Sequence, residues 1–189
     1  MNAEALSGGF ADAPIQSARA FRSVLEAMAH PGTIHRLDGA VPPEPLSIAA
    51  GVALLTLADP TTPLHLAGAA DTQAVRDWIA FHIGAPLVDA SEASFALGSW
   101  ADLSPIDRFS PGLPDYPDRS ATLIVLCDAL SDQGARLSGP GIRETAQLSL
   151  PETAAFQANR ALFPMGLDFL FTAEDRIAGL PRSTRVEER

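Results

Sequence analysis

Ala121-Thr122-Leu123-Ile124-Val125-Leu126-Cys127 is the most strand-like stretch of the chain. Its apolar side chains fall at odd and even positions alike, so both faces of the strand need cover. A strand of that kind belongs in the interior of a sheet with a layer on each side. Shorter strand patterns surround it: Thr33-Ile34-His35-Arg36-Leu37, Thr62-Pro63-Leu64-His65-Leu66, Pro86-Leu87-Val88, Ser94-Phe95-Ala96-Leu97 and Ala135-Arg136-Leu137-Ser138. Helical patterns separate them. Phe21, Val24, Leu25 and Met28 fall at i, i+3, i+4 and i+7 and predict one inward face, ended by His30-Pro31-Gly32. Residues 46–58 are apolar nearly all round and predict a buried helix. Residues 72–83 predict an amphipathic helix with Val75, Trp78, Ile79 and His82 on one side. Pro151 fits the first turn of a helix running to Leu162. Residues 100–119 contain Pro105, Pro111, Pro114 and Pro117, and predict a short helix followed by a long loop. Helices alternating with short strands predict an α/β protein, a three-layer αβα sandwich with a central mixed sheet. No repeat or linker divides residues 1–189, so a single domain is expected.

Composition narrows the chemistry. All 13 basic residues are Arg, and there is no Lys. A Schiff-base lysine is therefore impossible, which excludes pyridoxal-phosphate enzymes and lysine-dependent aldolases. A Walker A loop lacks its lysine as well. The formal net charge of −10 argues against a nucleic-acid surface. Cys127, the single cysteine, follows an apolar strand and reads as a buried core thiol. The start Met1-Asn2-Ala3-Glu4 lacks the basic and apolar regions of a secretory signal. The longest apolar run, residues 48–58, is too short to span a bilayer. A soluble cytoplasmic protein without a nucleic-acid or membrane partner is expected.

The candidate polar groups are few. The histidines His30, His35, His65 and His82 show no i, i+4 pairing of the kind that binds a metal on a helix, and no metal site is expected. The chain shows no nucleophile elbow or paired acids, so no catalytic residue is assigned. Near the C-terminus, Leu167-Asp168-Phe169-Leu170-Phe171 is an apolar strand holding one carboxylate. A second strand ends in Leu180-Pro181-Arg182-Ser183-Thr184-Arg185. Arg182, Ser183, Thr184 and Arg185 form a group suited to an anion or to a partner's carboxylates. They read equally as a polar tail leaving the sheet. Asp168 needs a partner in its apolar strand, and Arg182 is a candidate for a structural ion pair. Ser138-Gly139-Pro140-Gly141 could bring backbone N–H groups of Gly139 and Gly141 to a phosphate, or simply form a tight turn. The possible ligand site thus comprises Arg182, Ser183, Thr184, Arg185, Asp168, Gly139 and Gly141.

Several segments, taken in order, resemble the PhnH subunit family of the bacterial carbon–phosphorus lyase system of phosphonate use. They include Phe21-Arg22 with Ala27-Met28 and Pro31-Gly32, Leu54-Leu55-Thr56-Leu57-Ala58-Asp59 with Thr62-Pro63, and Phe81-His82 with Ala85-Pro86-Leu87-Val88. Ala121-Thr122-Leu123-Ile124, Arg136-Leu137-Ser138-Gly139 with Gly141-Ile142, and residues 163–186 continue the match. The resemblance implies a fold like that of pyridoxal-phosphate-dependent transferases, as a homodimer and without the cofactor. It also implies assembly with PhnG, PhnI and PhnJ into an enzyme that makes α-D-ribose 1-methylphosphonate 5-triphosphate from ATP and methylphosphonate. The family attributes the displacement of adenine mainly to PhnI, and carbon–phosphorus bond cleavage to the iron–sulfur subunit PhnJ. It supplies no catalytic residue here. The resemblance therefore implies a non-catalytic, structural subunit; a nucleotide- or phosphonate-ester-binding module using the C-terminal arginines is the alternative.

Overall fold

The best strand pattern of the sequence becomes β6 (Thr122–Leu126), an interior strand of a six-stranded mixed sheet. The structure is a computed structural model and describes residues 7–188; the reading of the chain start at residues 1–4 lies outside them. The central sheet also contains β1 (His35–Arg36), β2 (Leu64–Leu66), β3 (Phe95–Ser99), β9 (Asp168–Ala173) and β10 (Arg176–Leu180), in the order β1-β10-β9-β6-β3-β2. β2, β3, β6 and β9 run parallel, and β10 and β1 extend the sheet antiparallel. Along β6, Leu123 and Val125 enter one core and Ile124 the other. That division is why its apolar run is continuous.

The first face is covered by α1 (Ala13–Ala29), α2 (Ile48–Leu57) and α3 (Gln73–His82). The predicted helices match these closely, because their caps are explicit in the sequence. Ser47 Oγ accepts from Ala50 N–H at 3.1 Å, and Thr72 Oγ1 accepts from Val75 N–H at 3.2 Å. Trp78, Leu54, Leu170 and Ile177 are among the side chains filling this core.

The second face differs from the expected helical layer. It carries a small antiparallel sheet of β7 (Ala135–Ser138), β8 (Ala146–Leu148) and β11 (Arg185–Glu187), in the order β11-β7-β8. The short helices α4 (Trp100–Leu103) and α5 (Ala154–Ala161) lie on the same side. Phe156, Phe169 and Phe171 make edge-to-face contacts there, with Phe156 and Phe169 4.9 Å apart. The α/β class and the mixed central sheet stand; the αβα sandwich becomes one helical layer, one sheet, and one layer of strands and helices together.

Three local expectations change. The proline-rich stretch expected to be a loop contains the hairpin of β4 (Pro111–Leu113) and β5 (Tyr116–Ser120). Its prolines fit because a two-stranded hairpin leaves outer edges that need no N–H. Pro86-Leu87-Val88 contributes only a bridge from Leu87 to Leu64. α5 begins at Ala154 rather than near Pro151, where the Glu152 carboxylate accepts from Ala155 N–H at 3.3 Å and from Trp100 Nε1 at 2.9 Å. His82 keeps its expected place beside Trp78, half-buried with the ring centroids 5.3 Å apart, and its Nε2 lies 3.1 Å from the Ser7 carbonyl.

The largest change concerns α1. Its buried residues are Ala20, Val24 and Ala27, whereas Phe21 and Leu25 face outward. The helix approaches β10 through small residues: a Cβ on Gly179 would lie 2.7 Å from the Ala27 carbonyl oxygen. That close approach needs alanines and a glycine at the contact, so the bulky side chains turn away from it.

Candidate functional site

The carboxylate expected to need a partner has one. Asp168 opens β9, and Arg182 follows β10 directly after Pro181. Asp168 Oδ1 accepts from the Arg182 backbone N–H at 2.8 Å and from its Nε at 3.1 Å, and Oδ2 accepts from Nη2. Nη2 also donates to Ser120 Oγ, and Nη1 donates to the Pro117 carbonyl. The side chains of Arg182 and Asp168 are 14% and 19% exposed. Every nitrogen of this guanidinium is engaged within the chain, which joins the base of the β4–β5 hairpin to the end of the central sheet.

The other candidate residues separate from this cluster. Pro181 to Thr184 is a turn closed by Thr184 N–H donating to the Pro181 carbonyl at 2.9 Å. Beyond it the chain does not leave as a tail but enters β11, where Arg185 pairs with Ser138 across the ladder. Ser183 offers its carbonyl to Arg160 Nε at 3.1 Å. Thr184 is buried, and its Oγ1 has no hydrogen-bond partner among the described residues. The space beside it, between Phe156, Asn159 and Val186, leaves no room for a water molecule. Gly139 lies against this turn, since a Cβ there would stand 3.3 Å from the Ser183 carbonyl oxygen. Gly141 packs elsewhere, on the C-terminal end of α1. The structure therefore brings Gly139, Ser183, Thr184 and Arg185 together. Asp168 with Arg182, and Gly141, stand apart from them. Of the two arginines expected to share a ligand, Arg182 is taken up by internal acceptors and Arg185 lies on β11.

One buried polar residue escaped the sequence reading. Asn159 on α5 accepts from Leu167 N–H at 2.7 Å and donates to the Leu167 carbonyl at 2.9 Å. Its only sequence signal is a polar side chain on the inward face of an amphipathic helix. Asn159→Leu strands both backbone groups of Leu167 and is expected to cost about 2–4 kcal/mol, read as a lower urea midpoint. A midpoint unchanged from wild type refutes that account.

The reactive side chains are similarly committed. His30 Nδ1 lies 3.0 Å from Glu26, His35 Nε2 lies 2.8 Å from Thr33 Oγ1, and His65 Nδ1 lies 2.9 Å from the Val88 carbonyl. Burial pushes the Cys127 thiol up to about 11. At pH 8 an alkylating reagent is therefore expected to modify it about 100-fold more slowly than an ordinary thiol, with full reactivity restored in denaturant. Equal rates in the folded and unfolded chain would contradict this. Reaction should accelerate as the pH rises toward 11, where the thiolate forms.

Three grooves among the described residues gather polar or apolar side chains. The first, about 780 Å³, is lined by Thr33, Arg36, Ser131, Asp132 and Arg176. Arg36 and Arg176 face each other across β1 and β10, and the first is tied to Asp175, with Nε to Oδ2 at 2.8 Å. A second, about 450 Å³, holds His65, Asp71, Arg76, Asp89 and Glu92. Hydrogen bonding from Arg76 holds the Asp71 carboxyl below its ordinary value. The third, about 300 Å³, is apolar and runs between α5 and the base of the hairpin, past Phe109, Pro111, Leu162 and Leu167. Among the described residues, no helix is long and apolar enough to cross a membrane.

Comparison with known proteins gives this framework a context. The sequence model of a family described as bacterial phosphonate metabolism protein (PhnH) matches residues 8–187. The alpha-D-ribose 1-methylphosphonate 5-triphosphate synthase subunit PhnH of Rhizobium meliloti (strain 1021) is 40% identical over 190 residues, covering 96% of this chain and 95% of that protein. The match runs through both layers, the hairpin and the Arg182 cluster, and so extends across the whole described fold. This chain belongs to the PhnH family of bacterial phosphonate metabolism proteins.

Proposed function

We propose that this chain is the PhnH subunit of an α-D-ribose 1-methylphosphonate 5-triphosphate synthase, and that its contribution to phosphonate breakdown is architectural. The observation that carries this reading is the end-to-end similarity to such a subunit, 40% identical across 96% of the chain. The state of the polar groups supports it. Arg182 and Asp168 satisfy each other and the hairpin, the histidines bond within the chain, and the Cys127 thiol is kept protonated by burial. These groups hold structure together rather than await a substrate.

In this reading the chain acts as a homodimer in the cytoplasm, and PhnG, PhnI and PhnJ are its partners. The fold descends from that of pyridoxal-phosphate-dependent transferases; the parallel run β2-β3-β6-β9 and the absence of lysine agree with a cofactor fold that has lost its cofactor. Co-expression of the tagged chain with PhnG, PhnI and PhnJ tests the assignment. Co-elution of all four through size exclusion is expected. A chain that elutes alone from that mixture would overturn the assignment.

A further inference from the structure

The outer side of α1 carries a regular pattern with no partner in the fold. Pro14, Ala18, Phe21 and Leu25 are all exposed and lie at successive spacings of four, three and four residues. That is the 3.5-residue repeat of a helix seam that packs against another helix. Phe21 and Leu25 are 52% and 54% exposed, and Met28 continues the stripe at its half-buried end. The inner side of the same helix is complete without them, through Ala20, Val24 and Ala27. A helix apolar on two sides covers one neighbour within the fold and is shaped for a second outside it.

The charges beside the seam select the occupant. Arg22 flanks it next to Phe21, and Arg19 lies one turn earlier; neither makes a hydrogen bond or ion pair among the described residues. Glu26, the acidic residue near the seam, is held by His30 at 3.0 Å. The flank is thus positive on a chain whose net charge is −10. A second copy fits poorly. Two α1 helices related by a two-fold axis, with Phe21 against Leu25 of the mate, would place Arg22 beside its own symmetry equivalent. Like charges so placed repel.

We propose that this seam is the docking surface for an amphipathic helix of another subunit of the synthase, with apolar residues against Phe21 and Leu25 and a carboxylate facing Arg22. The inference rests on the subunit reading above. Exposed aromatic and aliphatic anchors of this kind carry much of the energy of an interface, and a flanking charge governs partner choice and rate of encounter.

The test is capture of co-expressed PhnG, PhnI and PhnJ by the tagged full-length chain. Phe21→Ser with Leu25→Ser should weaken capture by about 100-fold or more, because two anchors are lost together. Arg22→Glu should weaken it by about tenfold at low salt and reduce its salt sensitivity. Leu113→Ser, at the equally exposed tip of the hairpin, should leave capture unchanged. Melting curves check folding, which exposed positions should barely alter. Equal capture by the wild type and the double variant overturns this inference while leaving the subunit reading intact. Absence of capture by the wild type overturns both. A double variant that turns from dimer to monomer while still capturing the subunits shows that a second copy occupies the seam, and also overturns the proposal.

Discussion

Arg182→Ala is expected to lower the melting midpoint by about 10 °C. The substitution leaves the Asp168 carboxylate with only the backbone N–H of residue 182, and leaves Ser120 Oγ and the Pro117 carbonyl without their donor. Breaking one side of a largely buried ion pair costs about 3–5 kcal/mol, and the slight exposure of this pair favours the lower end. A chain of this length loses roughly 2–4 °C for each kcal/mol. The damage should be local first. Amides pairing β4 with β5 should exchange faster with solvent, because the hairpin loses its tie to the sheet. Arg182→Lys restores charge without the planar fork and recovers only part of the loss. Arg185→Ala, on the exposed outer face of β11, should change stability by less than about 0.5 kcal/mol. A double-mutant cycle with Asp168→Asn measures the coupling directly. If Arg182→Ala proves no more harmful than Arg185→Ala, the guanidinium is not the structural tie described here.

Gly141→Ala should be comparably severe. Gly141 has a φ of +79°, and a Cβ there would stand 1.8 Å from the Ala29 carbonyl oxygen. Neither atom belongs to a flexible side chain, so the end of α1 or the turn after β7 must move. A loss of at least about 3 kcal/mol is expected from the combined backbone strain and overlap. Gly139→Ala provides the comparison. It also has positive φ, but its Cβ would meet the Ser183 carbonyl oxygen at 3.3 Å, a contact that small shifts relieve. Its expected cost is about 1–2 kcal/mol. Urea midpoints measure both, and equal values would refute the distinction. The two glycines of one short motif thus have different roles, one packing the helix end and one shaping the approach to the C-terminal turn.

Local signals made much of the fold legible. The caps of α2 and α3, the break at His30-Pro31-Gly32 and the two-sided apolarity of β6 each have a cause within a few residues. The hairpin was obscured by its prolines, which punctuate loops far more often than strands. β8 and β11 are three residues long, too short to show an alternation. The stripe on α1 was legible as a stripe, but its direction was not. Periodicity shows that side chains share a face and says nothing of which face meets the sheet. The candidate site divided in the same way. The need of Asp168 for a cation followed from its apolar neighbours, whereas the acceptors that saturate Arg182 lie 62 and 65 residues away in a stretch that read as loop.

The amino-acid sequence alone determined the main helices and the central strand β6, the α/β class, the exclusion of lysine chemistry and the family resemblance, because propensity, capping and side-chain inventory are properties of short segments. Tertiary structure decided the sheet order, the placement of a second small sheet over one face, the internal capture of Arg182 and the outward turn of Phe21 and Leu25. Those outcomes depend on which small residues let backbones meet closely, as Ala27 and Gly179 do, and such contacts join segments far apart in the chain.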